Sequence, residues 1–258
     1  MTTRFIASMT HEEIRHALDS GCDTAVLAIG ATEQHGPHAP LGTDTIVSEE
    51  VAWRLAERIN ALVAPVVPLG FSFQHLAWAG SISLEITTAA SVLVETIKCL
   101  AHHGFKRFVL FSGHGGNKPV LDLAARQARQ SLDKIQVVVF NMLPLQTGKE
   151  FQQRVEARLG AKFEGIWGAH GGEQETSAAM ARDEGLVHLE KAPGQASGIN
   201  DYLEKTRNPY ASVVSFDLKR YTPWGSWGDP RGASKEQGIA IFEVLACMMA
   251  ESINDRWE

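Results

Sequence analysis

An uncharged apolar run, Thr24–Ile29, opens directly into AIGATEQHGPHAPLGTD, residues Ala28–Asp44. This junction constrains the fold more than any other part of the chain. A strand that is apolar on both faces has to be covered by helices on both sides, the condition met in parallel sheets. The glycines and prolines that follow end the strand in a loop. Within the loop Glu33 and His35 stand two apart, so extended backbone aims both side chains the same way, and Asp44 can fold back to join them. Oxygen and nitrogen donors gathered at the end of a buried strand suit a divalent metal ion. A polar surface loop with incidental His and Glu is the plainer alternative.

The strand, loop, helix order then recurs. Ser8 or Thr10 can cap a short helix over Glu12–Leu18. Thr45–Leu62 sets Ile46, Val47, Val51, Leu55, Ile59 and Leu62 on one stripe, an amphipathic helix. Ala64–Leu69 reads as a strand leading into a loop, Gly70–Gly80, that holds Ser72, Gln74, His75 and Trp78. Thr87 or Thr88 caps a helix that runs to His103 and stops at Gly104. Arg107–Ser112 is a third strand, followed at once by GHGGN, Gly113–Asn117. Lys118–Leu132 is a helix with Pro119 in its first turn, and Ile135–Asn141 is a fourth strand.

This alternation predicts an α/β fold, three α/β/α layers around a mostly parallel sheet. Beyond Leu143 the periodicity weakens. Gly148–Leu159 reads as helical, Gly165–Glu175 as a glycine-rich loop feeding a helix to Arg182, and Gly194–Ser226 as long loops with short strands such as Ser212–Phe216. Ser234 and Gln237 spell a capping box for a last helix running to Ile253. Nothing marks a linker or repeat, so residues 1–258 are read as a single domain.

Composition narrows the class of partner. A net charge of −6 without a basic stripe speaks against nucleic acid. The N-terminus MTTRFIASMTHEE lacks the apolar core of a signal peptide, and no run approaches the ~18 apolar residues of a membrane span. Cys22, Cys99 and Cys247 are odd in number and widely spaced, which indicates neither a disulfide framework nor a thiolate metal site and fits a reducing cytoplasm.

In a doubly wound sheet the loops at the carboxyl ends of the strands meet in one crevice. The loops after the first and third strands, with His170-Gly171-Gly172-Glu173-Gln174-Glu175, bring there the carboxylates of Glu33, Asp44, Glu173 and Glu175 and the imidazoles of His35, His114 and His170. That donor set exceeds the needs of one tetrahedral zinc and is enough for two ions sharing a carboxylate. Asp44 is the natural bridge, and His170 is the candidate general acid. Two ions ~3.5–4 Å apart activate a bridging water and polarise a carbonyl. The backbone of Gly113, Gly115 and Gly116 can approach a ligand closely, and the amides opening the next helix can face an anion. A phosphate cradle on a non-catalytic, flavodoxin-like binding module is the competing reading of GHGGN. Ser72, His75, Gly115, Gly116 and Asn117 are the candidates for substrate contact.

The segments GATEQHGPH (Gly30–His38) with Thr43-Asp44-Thr45, GHGGN, and HGGEQETS (His170–Ser177) resemble the creatininase (creatinine amidohydrolase) family, as do Gly80–Leu84 and Gly228-Asp229-Pro230 with Ala233. The resemblance implies a creatininase-like α/β/α domain, two divalent ions (Zn, Mn or Fe), hydrolysis of a non-peptide C–N amide bond and a homo-oligomer, commonly a hexamer. It implies that Glu33, Asp44 and His114 hold one ion, that His35 and Asp44 lie on the second, and that His170 is catalytic. Creatininase proper has Tyr-Glu where this chain has Gly115-Gly116, and that glutamate binds the second ion. Glu173 is expected to replace the missing carboxylate and to join His170 in catalysis, with Glu175 behind it. The lost tyrosine puts creatinine itself in doubt. Related members act on formamides, a cyclic ketone of inositol breakdown, or a small peptide.

Overall fold

All six residues of β1 (Thr24–Ile29) are buried, as a run apolar on both faces requires. Its side chains alternate between two cores. Val26 and Ala28 face one, and Ala25, Leu27 and Ile29 the other. The computed structural model describes residues 4–163, 170–194, 196, 218–254 and 257. In that part, β1 is joined by β2 (Ala61–Val63), β3 (Arg107–Ser112) and β4 (Gln136–Val139), all parallel, in the order β2-β1-β3-β4. β1 and β3 pair along their full length, from Thr24 against Arg107 to Ile29 against Ser112.

The helices are α1 (His11–Asp19), α2 (Thr43–Arg58), α3 (Ile86–His103), α4 (Lys118–Ser131), α5 (Met142–Thr147), α6 (Lys149–Leu159), α7 (Glu173–Arg182) and α8 (Lys235–Asn254). One core packs α2, α6, α7 and α8 against the sheet, through Val51, Leu55, Phe151, Ala178 and Phe242. The other packs α3 and α4, through Leu93, Ile97, Val120 and Ala124. The result is the three-layer α/β/α arrangement. Phe108 of β3 is fully buried in the second core, and Phe108→Ala is expected to cost about 3–5 kcal/mol in a denaturant titration.

Several boundaries differ from the sequence expectation, each for a local reason. The second strand is Ala61–Val63, not Ala64–Leu69. Asn60 sits at φ 49° and ends the apolar stripe of α2 early, turning the chain so that Ala61 enters the sheet beside Thr24. Pro65 and Pro68 lie beyond, where a missing N–H costs no ladder bond. The first turn of α2 starts at Thr43, which moves Asp44 from the loop into the helix. Thr10 forms a full capping box with Glu13. At α8 only half of the box forms: Ser234 accepts from the Gln237 amide (3.3 Å). The Gln237 side chain instead donates to Glu173 Oε1 (2.8 Å) and accepts from Ser177 Oγ (2.9 Å), tying α8 to α7. The strand expected over Ser212–Phe216, and most of the glycine-rich stretch before His170, lie outside the described residues.

A charged seam closes the first helical layer. Arg54, on α2, donates from Nε to Glu243 (3.0 Å) on α8, and Arg58 reaches the same carboxylate (2.6 Å). Arg182 at the end of α7 donates to Glu50 and Glu49 (2.8 Å each). Among the described residues no helix is long and apolar enough to cross a membrane.

Candidate metal centre

β1 has β2 on one side and β3 on the other, so the connections leaving the carboxyl ends of β1 and β3 run apart and open a crevice between them. The chain after β1 places Glu33 and His35 there, and the first turn of α2 adds Asp44. His114 follows β3, His75 ends a short 3-10 turn (Phe73–His75), and α7 contributes Glu175 from its first turn. The approach is close. A Cβ on Gly113 would collide with the Asp44 carbonyl oxygen, and one on Gly116 with the His114 ring.

The two oxygens of Asp44 divide between two imidazoles: Oδ1 lies 3.4 Å from His35 Nε2, and Oδ2 lies 3.4 Å from His114 Nδ1. Glu33 Oε1 is 3.2 Å from the same His114 nitrogen, 3.3 Å from His75 Nε2 and 3.5 Å from His170 Nδ1. Glu175 Oε2 is 3.5 Å from His35 Nε2 and 3.9 Å from His170 Nδ1. Glu33, His35 and Asp44 are 0%, 0% and 1% exposed, which leaves no room for solvent to satisfy them. Yet both oxygens of Glu33, both of Asp44 and Nε2 of His35 lack a hydrogen-bond partner.

The outer faces of the two imidazoles explain why. His35 Nδ1 lies 3.0 Å from the Glu33 carbonyl, and His114 Nε2 lies 3.0 Å from the Phe71 carbonyl. A carbonyl only accepts, so these nitrogens carry protons, and the opposite nitrogen of each ring is the one turned inward to the carboxylates. Backbone support of this kind orients metal-bound histidines. The inward nitrogens of His35 and His114 therefore face carboxylate oxygens, an arrangement that needs positive charge at its centre, whether protons or a metal ion. Three overlapping groups of potential ligands have their atoms within 4.8 Å of one another: Glu33, His35 and Asp44; His35, His170 and Glu175; and Glu33, His75 and His170.

The electrostatics agree. Burial works against charging His35, but Asp44, Glu175 and Glu33 outweigh it and raise its pKa to about 10; Glu33 and Asp44 likewise raise His114 to about 9 against burial. These are the positions where the field draws a cation. Glu33 stays well below the usual carboxyl range, since the surrounding His114, His75 and His170 overcome its burial. Burial, with nearby Asp44 and Glu33, lifts Glu175 to about 7. His170 and His75 go the other way. Burial pushes His170 well below its ordinary value, assisted by His35 and His75, and brings His75 to about 4. Both are neutral imidazoles at neutral pH.

Three expected site residues stand elsewhere. Glu173 does not reach the cluster; as the first residue of α7 its carboxylate turns outward to Gln237 of α8. Glu175 takes the position beside His35, and a readable signal marks it. With Gly172 as N-cap, Glu175 is the third helical residue, the position whose side chain folds back over the helix start. It does so here, accepting from the Gly171 amide at 2.7 Å. Asn117 is fully buried and its amide is used up: Oδ1 accepts from Phe71 N (2.8 Å), while Nδ2 donates to Gly30 O (2.8 Å) and Ser112 Oγ (3.0 Å). It clamps loops together. Ser72 is buried, with its amide donating to Ser83 Oγ (3.0 Å).

A cavity of about 560 Å³ opens beside the cluster, lined by His75, His114, Gly115, Gly116, His170 and Glu175 together with apolar residues such as Phe71 and Trp227. Neither Ser72 nor Asn117 lines it. His38 lies behind the cluster, its Nε2 3.0 Å from Gly171 O and 3.2 Å from Thr176 Oγ1, which ties the first loop to α7.

A parallel α/β sheet that gathers buried imidazoles and carboxylates at its switch point, beside a cavity, is the framework of a metal-dependent hydrolase. Residues 7–253 match the Creatininase family model, described as creatinine amidohydrolase, and the chain belongs to that family. It is 30% identical to the creatinine amidohydrolase of Pseudomonas putida over 265 residues, 98% of this chain and 97% of the relative. The mycofactocin precursor peptide peptidase of Mycobacterium ulcerans is 29% identical, covering 88% of this chain and 83% of the relative. A solved structure, "Creatininase Mn", superposes with a TM-score of 0.79 at 29% identity, covering 98% of each chain.

Proposed function

We propose that the chain hydrolyses a non-peptide C–N amide bond, of a cyclic amide or a formamide, at a centre holding two divalent ions, Zn, Mn or Fe. The observation that carries this reading is the convergence of the inward nitrogens of His35 and His114 on the carboxylates of Asp44 and Glu33, whose buried oxygens have no hydrogen-bond partner. Glu33, Asp44 and His114 would hold one ion; His35, Asp44 and Glu175 the other, with Asp44 between. When bound, such ions polarise a carbonyl oxygen and make water a nucleophile near neutral pH. The remaining work falls to the protein. His170, neutral and lining the cavity, can take a proton at Nδ1 and return it to the leaving nitrogen. Gly115 and Gly116 let a substrate lie against the backbone, and the apolar walls at Phe71 and Trp227 exclude water.

Metal removal tests the reading. Purified protein should carry about two equivalents of divalent metal per chain, lose amide turnover in EDTA and regain it when Mn or Zn is restored. Protein that holds no metal and takes up none would defeat it. A small peptide is the second reading for the substrate, favoured by a cavity within the ~300–1,000 Å³ range of sites for drug-sized ligands. Turnover of a panel of cyclic amides, formamides, cyclic ketones and short peptides decides between them. The phosphate-binding alternative draws little from the charges: Lys118 is paired with Asp122 (2.5 Å) and Arg231 with Asp229. We further read the protein as a cytoplasmic homo-oligomer, a hexamer by family; light scattering tests the assembly.

A further inference from the structure

Gln34 stands between the two liganding residues of the first loop yet points away from both. It is 4% exposed, and each polar atom of its side chain has a partner. Oε1 accepts from the Gly36 amide at 2.9 Å. Nε2 lies 2.8 Å from His75 Nδ1, 2.9 Å from His170 Nε2 and 3.2 Å from the Gly225 carbonyl. Its own main-chain carbonyl lies 2.5 Å from His170 Nε2. Space for this side chain is built in: Gly225, at φ 97°, has no Cβ, and one there would collide with the Gln34 amide.

These contacts have one consistent assignment of protons. The Gly36 N–H fixes Oε1 as the acceptor end of the amide, so Nε2 is the donor end. Its two hydrogens go to the Gly225 carbonyl and to His75 Nδ1, which must then be the unprotonated nitrogen of that ring. His75 therefore carries its proton on Nε2, the nitrogen 3.3 Å from Glu33. His170 is set in the opposite sense. Its Nε2 faces the Gln34 carbonyl, which only accepts, so the proton sits there and Nδ1 presents a lone pair toward Glu33 and Glu175. The two rings lie 4.4 Å apart, tilted by 41°, and both line the cavity.

We infer that Gln34 is a positioning residue that locks His75 as a hydrogen-bond donor and His170 as a proton acceptor, side by side at the cavity wall. The inference rests on the proposed hydrolysis for its purpose, but not for its geometry. Two neutral histidines free to choose tautomers would present two donors, two acceptors or one of each. The single glutamine, reading one ring through its amide and the other through its main chain, selects the mixed pair. A proton released by a reacting water then passes to His170 Nδ1 and on to the leaving nitrogen, while the His75 N–H keeps its proton and donates a hydrogen bond, without a ring having to turn over.

Imidazole ¹⁵N chemical shifts of His75 and His170, measured on the zinc-loaded and the metal-free protein, test this directly. Wild-type protein should show both rings protonated at Nε2 only. A His75 protonated at Nδ1, or averaged between tautomers, would overturn the inference with no variant needed. In Gln34→Glu the carboxylate accepts where the amide donated, so His75 should switch to Nδ1–H. In Gln34→Ala it should average. For either variant, on substrate identified by the amide panel, kcat should fall on the order of 100-fold with KM within about threefold and the metal content unchanged. Unchanged tautomers in folded variants, or KM rising while kcat holds, would also overturn it. Failure of the whole panel would count against amide hydrolysis alone, because the tautomer measurement needs no substrate.

Discussion

Asp44→Asn is expected to abolish measurable turnover and to remove the metal-dependent gain in thermal stability. An asparagine offers one oxygen in place of two, and its amide nitrogen would face either His35 or His114 with protons where a cation should sit. Loss of residues that merely support a metal ligand costs ~10–100-fold, so loss of a shared ligand should exceed ~100-fold in kcat. The stability readout is independent of any substrate. Saturating Mn or Zn should raise the Tm of wild type, with about 2.7 kcal/mol gained at 100 times Kd, and barely move that of the variant. A variant that binds metal with wild-type stoichiometry would sink the bridging role.

The second large effect is a contrast. Glu175→Gln should lower bound metal from about two equivalents toward one and cut turnover at least ~100-fold, since it removes a carboxylate from beside His35. Glu173→Gln should keep both metal and activity and lose only about 1 kcal/mol of stability, the value of a hydrogen bond to Gln237. Elemental analysis and a denaturant titration on the two proteins are sufficient. The reverse pattern, with Glu173→Gln losing metal, would restore the assignment made from sequence.

That assignment shows where sequence reasoning reaches its limit. β1 and β3 are legible because uncharged runs of strand length are bracketed by turns, and both lie at the predicted residues. β2 is not, because Asn60 interrupts a pattern whose helical and strand periods overlap. The donors Glu33, His35, Asp44, His114 and His170 carry chemical types that announce themselves, and the structure brings them together. Choosing between Glu173 and Glu175 required the helix phase. Residues two apart on a helix do not share a face, and the start of α7 at Glu173 decides which one turns inward. Asn117 and Gln34 show how unevenly a sequence advertises its amides. One amide sits in a conspicuous glycine motif and gives its hydrogen bonds to neighbouring loops; the other lies between two louder neighbours and has its side chain set against two imidazoles.

The seam of Arg54, Arg182, Glu50 and Glu243 has a bearing on the metal centre as well. α2 presents Asp44 from its first turn and α7 presents Glu175 from its first turn, while Arg182, roughly 10 Å along α7, is bound to Glu49 and Glu50 of α2. Two rods carrying one potential ligand each are thus braced against one another away from those ligands. A chelate built on such a pair would have little give. Stiff chelates discriminate among ions by radius and by the angles they accept more than by softness. The selectivity of an ion held between the two helices would then be set by helix bracing, through arginines that do not touch it.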